Sequence, residues 1–193
     1  MNPSGRLPVS VPARPGTQPT TYLAGRLASR SDVSSVDPTA RYPFGHGLSY
    51  TSFAWSPAES DVEETPVESI VRLGITVTNT GERAGSDIVQ LYLADPVASV
   101  VRPVRRLVGF ARVSLEAGAS ARVGFEVSTD LASFTGLAGR RVLEPGELRF
   151  EFGASSADIK ETVPVRLSGD PVVFDDVRDA SRVLTPVVHV TAA

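Results

Sequence analysis

The chain of 193 residues carries 19 Lys plus Arg against 22 Asp plus Glu, a formal net charge of −3, and no Cys. That length allows one ordinary domain with attachments or two small ones, and 41% hydrophobic with 21% charged residues reads as globular rather than disordered. The mild acidity argues against a nucleic-acid-binding surface, which concentrates positive charge. The lack of Cys excludes a disulfide framework, thiolate zinc ligation and a Cys nucleophile.

The N-terminal Met1 to Arg6 is a turn-forming cluster followed by more Pro, with no basic segment leading into an apolar run, so no signal peptide is expected. No 18-residue apolar stretch exists to span a membrane. The chain as given is therefore expected to be soluble, and cytoplasmic if expressed in this form. Residues 1–45 hold seven of the 15 prolines. Proline fixes φ, removes a donor and biases its predecessor towards extended backbone, so this stretch reads as an extended arm that must lie on something else to be ordered. Residues 29–36 read as an exposed, mobile part of it. Lys160 is the one lysine among the 19 basic residues, a skew that with abundant Ala, Gly and Val points to a GC-rich, bacterial coding sequence.

Beyond residue 68 the pattern changes to a period of two. Leu73, Ile75 and Val77 share one face against Arg72, Gly74, Thr76 and Thr78, as in a half-buried strand. Asn79-Thr80-Gly81-Glu82 supplies turn chemistry. A second strand spans Ser86 to Leu93, with Val89, Leu91 and Leu93 inward and Gln90 and Tyr92 outward, ending at Asp95-Pro96. The runs Arg106 to Leu115 and Ser120 to Val127, separated by Glu116-Ala117-Gly118-Ala119, predict an antiparallel hairpin. Ser128 to Phe134 offers a single helical turn with Thr129 or Asp130 as its cap. Leu148, Phe150 and Phe152 alternate with Arg149 and Glu151, and Thr162 to Leu167 forms a last strand. Six or seven short strands without helical pattern between them imply an all-β fold, an antiparallel β-sandwich held by apolar packing alone.

Little chemistry is evident in the residues themselves. His46 and His189 are the two histidines, fewer than the three or four ligands a metal site requires, and no Cys supplements them. His46 sits in the rigid turn Pro43-Phe44-Gly45-His46-Gly47 and reads as a buried or interfacial residue bonded to backbone; the functional alternative is a contact near a neighbouring domain's ligand. His189 reads as packing in an apolar tail. No Gly-x-Ser-x-Gly elbow, Walker loop or dinucleotide loop is present, and no cofactor is expected. The acidic groups Asp61, Glu63 and Glu64, or Asp175 and Asp176, are local clusters that read as solvated surface. Arg102, Arg105 and Arg106 read as a solvated face or as ion pairs to neighbours, with a docking role as the functional alternative.

Several segments resemble one family. Asn2 to Ser10, Asp37-Pro38-Thr39 and Arg41-Tyr42-Pro43-Phe44-Gly45-His46-Gly47-Leu48-Ser49-Tyr50-Thr51-Ser52-Phe53 resemble the C-terminal part of glycoside hydrolase family 3, the β-glucosidases and β-xylosidases. Val77-Thr78-Asn79-Thr80-Gly81, Gln90 to Leu93, Arg102 to Phe110 and Glu144-Pro145-Gly146-Glu147 resemble its fibronectin type III-like domain. The resemblance implies an immunoglobulin-like sandwich over residues 54–168. It makes residues 1–53 the end of an α/β sandwich domain plus linker, and residues 169–193 a tail or extra edge strand. It also implies that the catalytic carboxylates of this retaining β-glycosidase family lie on domains outside the chain, so no catalytic residue transfers to it and the chain is expected to be inactive alone. The arm then lacks a partner of its own because it packs on those catalytic domains, the expected partners in cis. The linker residues Tyr42, Phe44, His46 and Tyr50 become candidate interdomain or sugar contacts. The alternative is a free-standing carbohydrate- or surface-binding module, with Tyr42, Tyr50, Trp55 and Tyr92 as stacking candidates. Neither nucleic acid nor membrane is an expected partner.

Overall fold

Alternating β-branched and polar residues make strands wherever one face finds a core, and the computed structural model, which describes residues 2–14, 21–28, 30–33, 35, 37–174 and 185–193, bears this out. The principal strands in chain order are β1 (Phe53–Trp55), β2 (Ile70–Asn79), β3 (Gly85–Ala94), β4 (Arg106–Leu115), β5 (Ser120–Ser128), β6 (Gly146–Ser155), β7 (Asp158–Ser168) and β8 (Val187–Ala192). One sheet runs β7-β6-β3-β4, with the short strand Glu64–Pro66 added parallel to β7; the other runs β8-β5-β2-β1, with Glu59–Ser60 also on β2. The two sheets enclose one core, an all-β sandwich of the predicted kind.

The inward faces are those read from the sequence. Leu73, Ile75, Val77, Val89, Leu91, Leu93, Val123, Phe125, Val127, Leu148, Phe150 and Phe152 are all buried. Phe125 on one sheet meets Phe152 on the other with ring centroids 5.9 Å apart and planes tilted by 60°. Such offset aromatic packing adds to the area each ring buries.

The expected hairpin between β4 and β5 is not formed. β4 pairs with β3, whereas β5 pairs with β2 and β8, so Glu116 to Ala119 is an arch that carries the chain from one sheet to the other. Alternation tells which face of a strand is buried but not which neighbour it pairs with, and both runs turn apolar faces to the same core from opposite sides. The arch is tied down at Asn79: Gly118 N donates to its carbonyl at 2.9 Å and its own N–H donates to Ala119 O at 2.9 Å. Gly118, at φ +77°, takes the left-handed conformation this bend requires. The Asn79 side chain is fully buried and donates to Arg83 O at 2.7 Å and Leu115 O at 3.1 Å while accepting from Thr51 Oγ at 2.7 Å and Gly81 N at 3.1 Å. Asn79→Ala is expected to cost about 1–3 kcal/mol, because two buried carbonyls lose their donor. Chemical denaturation measures this, and an unchanged midpoint would refute the hub role.

Two smaller corrections concern ends. The turn after β5 is a 3-10 helix over Thr129–Ala132, and its cap is Ser128, whose hydroxyl accepts from Asp130 N at 3.2 Å, rather than Thr129 or Asp130. Thr129 Oγ instead accepts from Ser69 N at 2.9 Å, across to the start of β2. Within 29–36, the described residues 30–33 and 35 are exposed, and residues 29, 34 and 36 lie outside the described set.

Candidate functional site

The outward face of β3 carries Gln90 and Tyr92, polar side chains that an exposed sheet face would turn to water. Here they are 3% and 0% exposed. The residues that cover them come from the N-terminal arm, so the arm has a partner within this chain, contrary to the expectation that it lies only on domains elsewhere. Short, Pro-rich segments cannot build a core, but they can satisfy their backbone groups against a sheet that offers side-chain donors and acceptors.

The clasp is built around the turn Pro43 to His46. His46 N donates to Pro43 O at 3.0 Å, and Gly45 takes φ +81°. Leu7 N donates to His46 O at 2.9 Å and Gly45 N returns to Leu7 O at 2.8 Å, while Val11–Pro12 pairs with Ala40–Tyr42. Gln90 Nε2 donates to Gly45 O at 3.0 Å and to Ala154 O at 2.7 Å, and its Oε1 accepts from the Tyr92 hydroxyl at 2.6 Å. A side chain at position 45 would overlap that amide, since a Cβ there would stand 2.0 Å from Gln90 Oε1. Tyr22 stacks on Phe44 at 4.0 Å between centroids, meets Tyr92 edge-on at 6.3 Å, and accepts from Leu107 N at 3.3 Å through its hydroxyl. Burial pushes the Tyr92 hydroxyl pKa up, and the neighbouring Tyr22 adds to the effect. Further out, Arg6 pairs with Asp87, and Asn2 Oδ1 accepts from Tyr50 N at 2.7 Å.

The four linker candidates occupy different positions on this clasp. Phe44 faces inward under Tyr22. His46 is half-buried, as its backbone bonds suggested, and its ring lies 5.1 Å from that of Tyr42. Tyr42 is 42% exposed with the Arg41 guanidinium 6.0 Å from its ring, and Tyr50 is 70% exposed. Of the stacking candidates, Tyr92 is enclosed, and Trp55 is half-buried with part of its ring packed against the core. His189 is also corrected: on the outer strand β8 it is 58% exposed with Nε2 3.8 Å from Glu126 Oε1, and it does not pack in an apolar interior.

The arginine cluster is neither solvated nor loose. Arg105 Nε lies 2.7 Å from Glu151 Oε2, and Arg102 Nη1 lies 3.6 Å from Asp95 Oδ2, with all four side chains largely enclosed. Burial pushes the Glu151 carboxyl up while Arg105 draws it back, and burial pushes Asp95 up against the opposing pull of Arg102. This explains why Glu151, outward by alternation, is buried. Asp61, Glu63 and Glu64 are exposed; Asp61 accepts from Arg72 N at 2.9 Å and Glu64 lies 3.9 Å from Arg166. Asp175 and Asp176 lie outside the described residues. Among the described residues no group of three or more His, Cys, Asp or Glu could hold a metal ion, and no helix is long and apolar enough to cross a membrane. The contact that the sequence pattern did not reveal is that of the arm with Gln90 and Tyr92, and its available signal was a Gln and a Tyr at outward positions of an otherwise apolar strand.

Residues 87–156 match the fibronectin type III-like domain family. A putative β-xylosidase of Formosa agariphila is 36% identical over 162 residues, 84% of this chain and 21% of that protein. A periplasmic β-glucosidase of Salmonella typhimurium is 34% identical over 172 residues, 83% of this chain and 22% of that protein. The crystal structure of a β-glucosidase from Listeria innocua in complex with glucose superposes with a TM-score of 0.80 at 31% identity, covering 88% of this chain and 25% of that one. The chain thus spans about a fifth of the length of the curated relatives it matches. With its sandwich, its clasped N-terminal arm and these likenesses taken together, the chain belongs to the fibronectin type III-like modules of the glycoside hydrolase family 3 β-glucosidases and β-xylosidases.

Proposed function

We propose that the chain serves as a non-catalytic, C-terminal structural module that buttresses the catalytic domains of a family 3 glycosidase, the whole protein hydrolysing terminal β-glycosidic bonds with retention. The observation that carries this reading is the match of over four-fifths of the chain to only about a fifth of each enzyme. A retaining site needs two carboxylates about 5–5.5 Å apart, and the acidic cluster read here, Asp61 to Glu64, is exposed and tied to arginines. In this reading the clasp stiffens the junction where the chain enters the sandwich. Tyr42, His46 and Tyr50 face the neighbouring domains or a sugar held near them, with Phe44 supporting them from beneath.

A chimera tests the proposal. Grafted in place of the matching quarter of the Listeria innocua β-glucosidase, this chain is expected to sustain nitrophenyl-glucoside hydrolysis, while the 193-residue chain alone gives none. Tyr42→Ala and Tyr50→Ala in the chimera are expected to weaken domain association or raise KM without unfolding the sandwich. Turnover by the isolated chain, abolished by a substitution within it, would overturn the reading, as would a chimera no more stable than the enzyme lacking the module.

A further inference from the structure

We propose that the pocket between the loop Asp95 to Arg105 and the segment Ser133 to Arg141 binds a small oxyanion, a carboxylate, phosphate or sulfate group. The pocket has a volume of about 240 Å³, and its lining includes Asp95, Arg102, Arg106, Ser133, Phe134 and Arg141. At about 30 Å³ for a water's share of liquid volume, it has room for one such group with a few waters.

Three separate parts of the chain bring the guanidiniums together. Arg102 sits on the loop before β4, Arg106 begins β4, and Arg141 begins the short strand Arg141–Leu143, which pairs with Phe134–Thr135 and Val172–Phe174. Arg102 lies over the Phe134 ring with its Cζ 4.4 Å from the centroid, which fixes the plane of its fork and keeps water from one face. Its Nη1 is buried without a hydrogen-bond partner, since Asp95 Oδ2 at 3.6 Å is beyond hydrogen-bond length. Arg141 is oriented by donation from Nε to Ser133 Oγ at 2.8 Å, and Arg106 by donation to Leu131 O.

Among the described residues, donors and positive charge are both in excess. Each guanidinium carries five N–H groups, and Leu131 and Ser133 accept from few of them, while Asp95 makes only an ion pair. Three guanidiniums against the Asp95 carboxylate leave two positive charges in the lining, or one if nearby Glu144, which accepts from Ser99 N at 3.0 Å, is counted. A purely structural ion pair needs only Arg102 and Asp95. Among the described residues Arg106 and Arg141 have no carboxylate partner, and each guanidinium raises the cost of its neighbour's charge. Burial lowers the Arg102 and Arg106 pKa values, with Arg141 adding to both effects. Arginine does not shed its proton at ordinary pH, so a bound anion rather than deprotonation relieves this arrangement. Planar guanidinium forks match the paired oxygens of such groups.

Calorimetric titration of the 193-residue chain with sodium phosphate, and separately with sodium glucuronate, at constant ionic strength is the test. The two anions separate an inorganic oxyanion from the carboxylate of a sugar acid. Saturable binding of at least one is expected, weakened about tenfold or more by Arg141→Gln, since a charge-assisted bond is lost. Arg112→Gln, an exposed site on β4, should leave the binding unchanged. In the unaltered chain, the same anion should slow arginine-specific dicarbonyl labelling of Arg141 but not of Arg112, a readout that does not depend on any variant folding. No saturable heat with either anion, binding that survives Arg141→Gln, or equal labelling of Arg141 with and without anion would each overturn the proposal.

Discussion

Phe152→Ala is expected to lower the stability of the sandwich by about 3–5 kcal/mol, the range for emptying an aromatic site that cannot collapse. Phe152 is fully buried on β6 and faces Phe125 of β5 across the core, so its removal opens a void bounded by both sheets rather than one that a loop can fill. Phe110→Ala on β4, where the ring is 62% exposed, should change stability by no more than about 0.5 kcal/mol. Urea denaturation separates the two, provided the slope of the unfolding free energy with urea stays constant. A Phe152 variant within 1 kcal/mol of the parent, against the ~3 kcal/mol minimum expected, would show that the two sheets do not share one tightly packed core.

Gln90→Leu is expected to release the arm as well as destabilise the chain by about 2–4 kcal/mol, near 1 kcal/mol for each of three hydrogen bonds with extra cost where a buried partner is orphaned. The Gly45 and Ala154 carbonyls lose their donor and the Tyr92 hydroxyl loses its acceptor, all in an enclosed place. Leucine fits the volume but satisfies none of these groups. The amides of Leu7 and Gly45, which bond each other's segments, should then exchange with solvent at least tenfold faster, while those of β2 and β5 keep more of their protection. Arm amides that exchange at the parent rate would show that stacking of Tyr22 on Phe44 holds the clasp without Gln90. The experiment also bears on the proposed buttressing role, because a loosened clasp loosens the junction through which the module would brace its neighbours.

Much of the sandwich was legible because alternation is a local property. The inward residues of β2, β3, β5 and β6 follow from a period of two, and turn residues such as Asn79-Thr80-Gly81 mark where the chain reverses. Strand partners were less legible. The runs that became β4 and β5 look like a hairpin because a short connection joins them, yet the connection is an arch held by Asn79. Local pattern records that a face is buried, whereas the choice between hairpin and arch depends on hydrogen bonds to residues some 40 positions away.

The candidate site divides in the same way. Tyr42, Phe44, His46 and Tyr50 could be singled out from the chain, but which of them faces inward could not. Tyr92 looked like a surface ring and is enclosed; His189 looked enclosed and is exposed. In each case the deciding partner is remote in sequence: the arm covers β3, and β8 lies at the outer edge beside β5.

By itself, the sequence determined an all-β sandwich without disulfides, the core-facing residue of almost every strand, and a likeness to family 3 glycosidases. These rest on residue type and spacing along a single strand or motif. Only the tertiary structure decided that the Pro-rich arm closes over Gln90 and Tyr92, that β4 and β5 part to different sheets, and that Arg102, Arg106 and Arg141 surround one pocket. The physical reason is that burial of a polar group depends on what else folds onto it. Here the covering groups are brought in by long-range pairing rather than by neighbours along the chain.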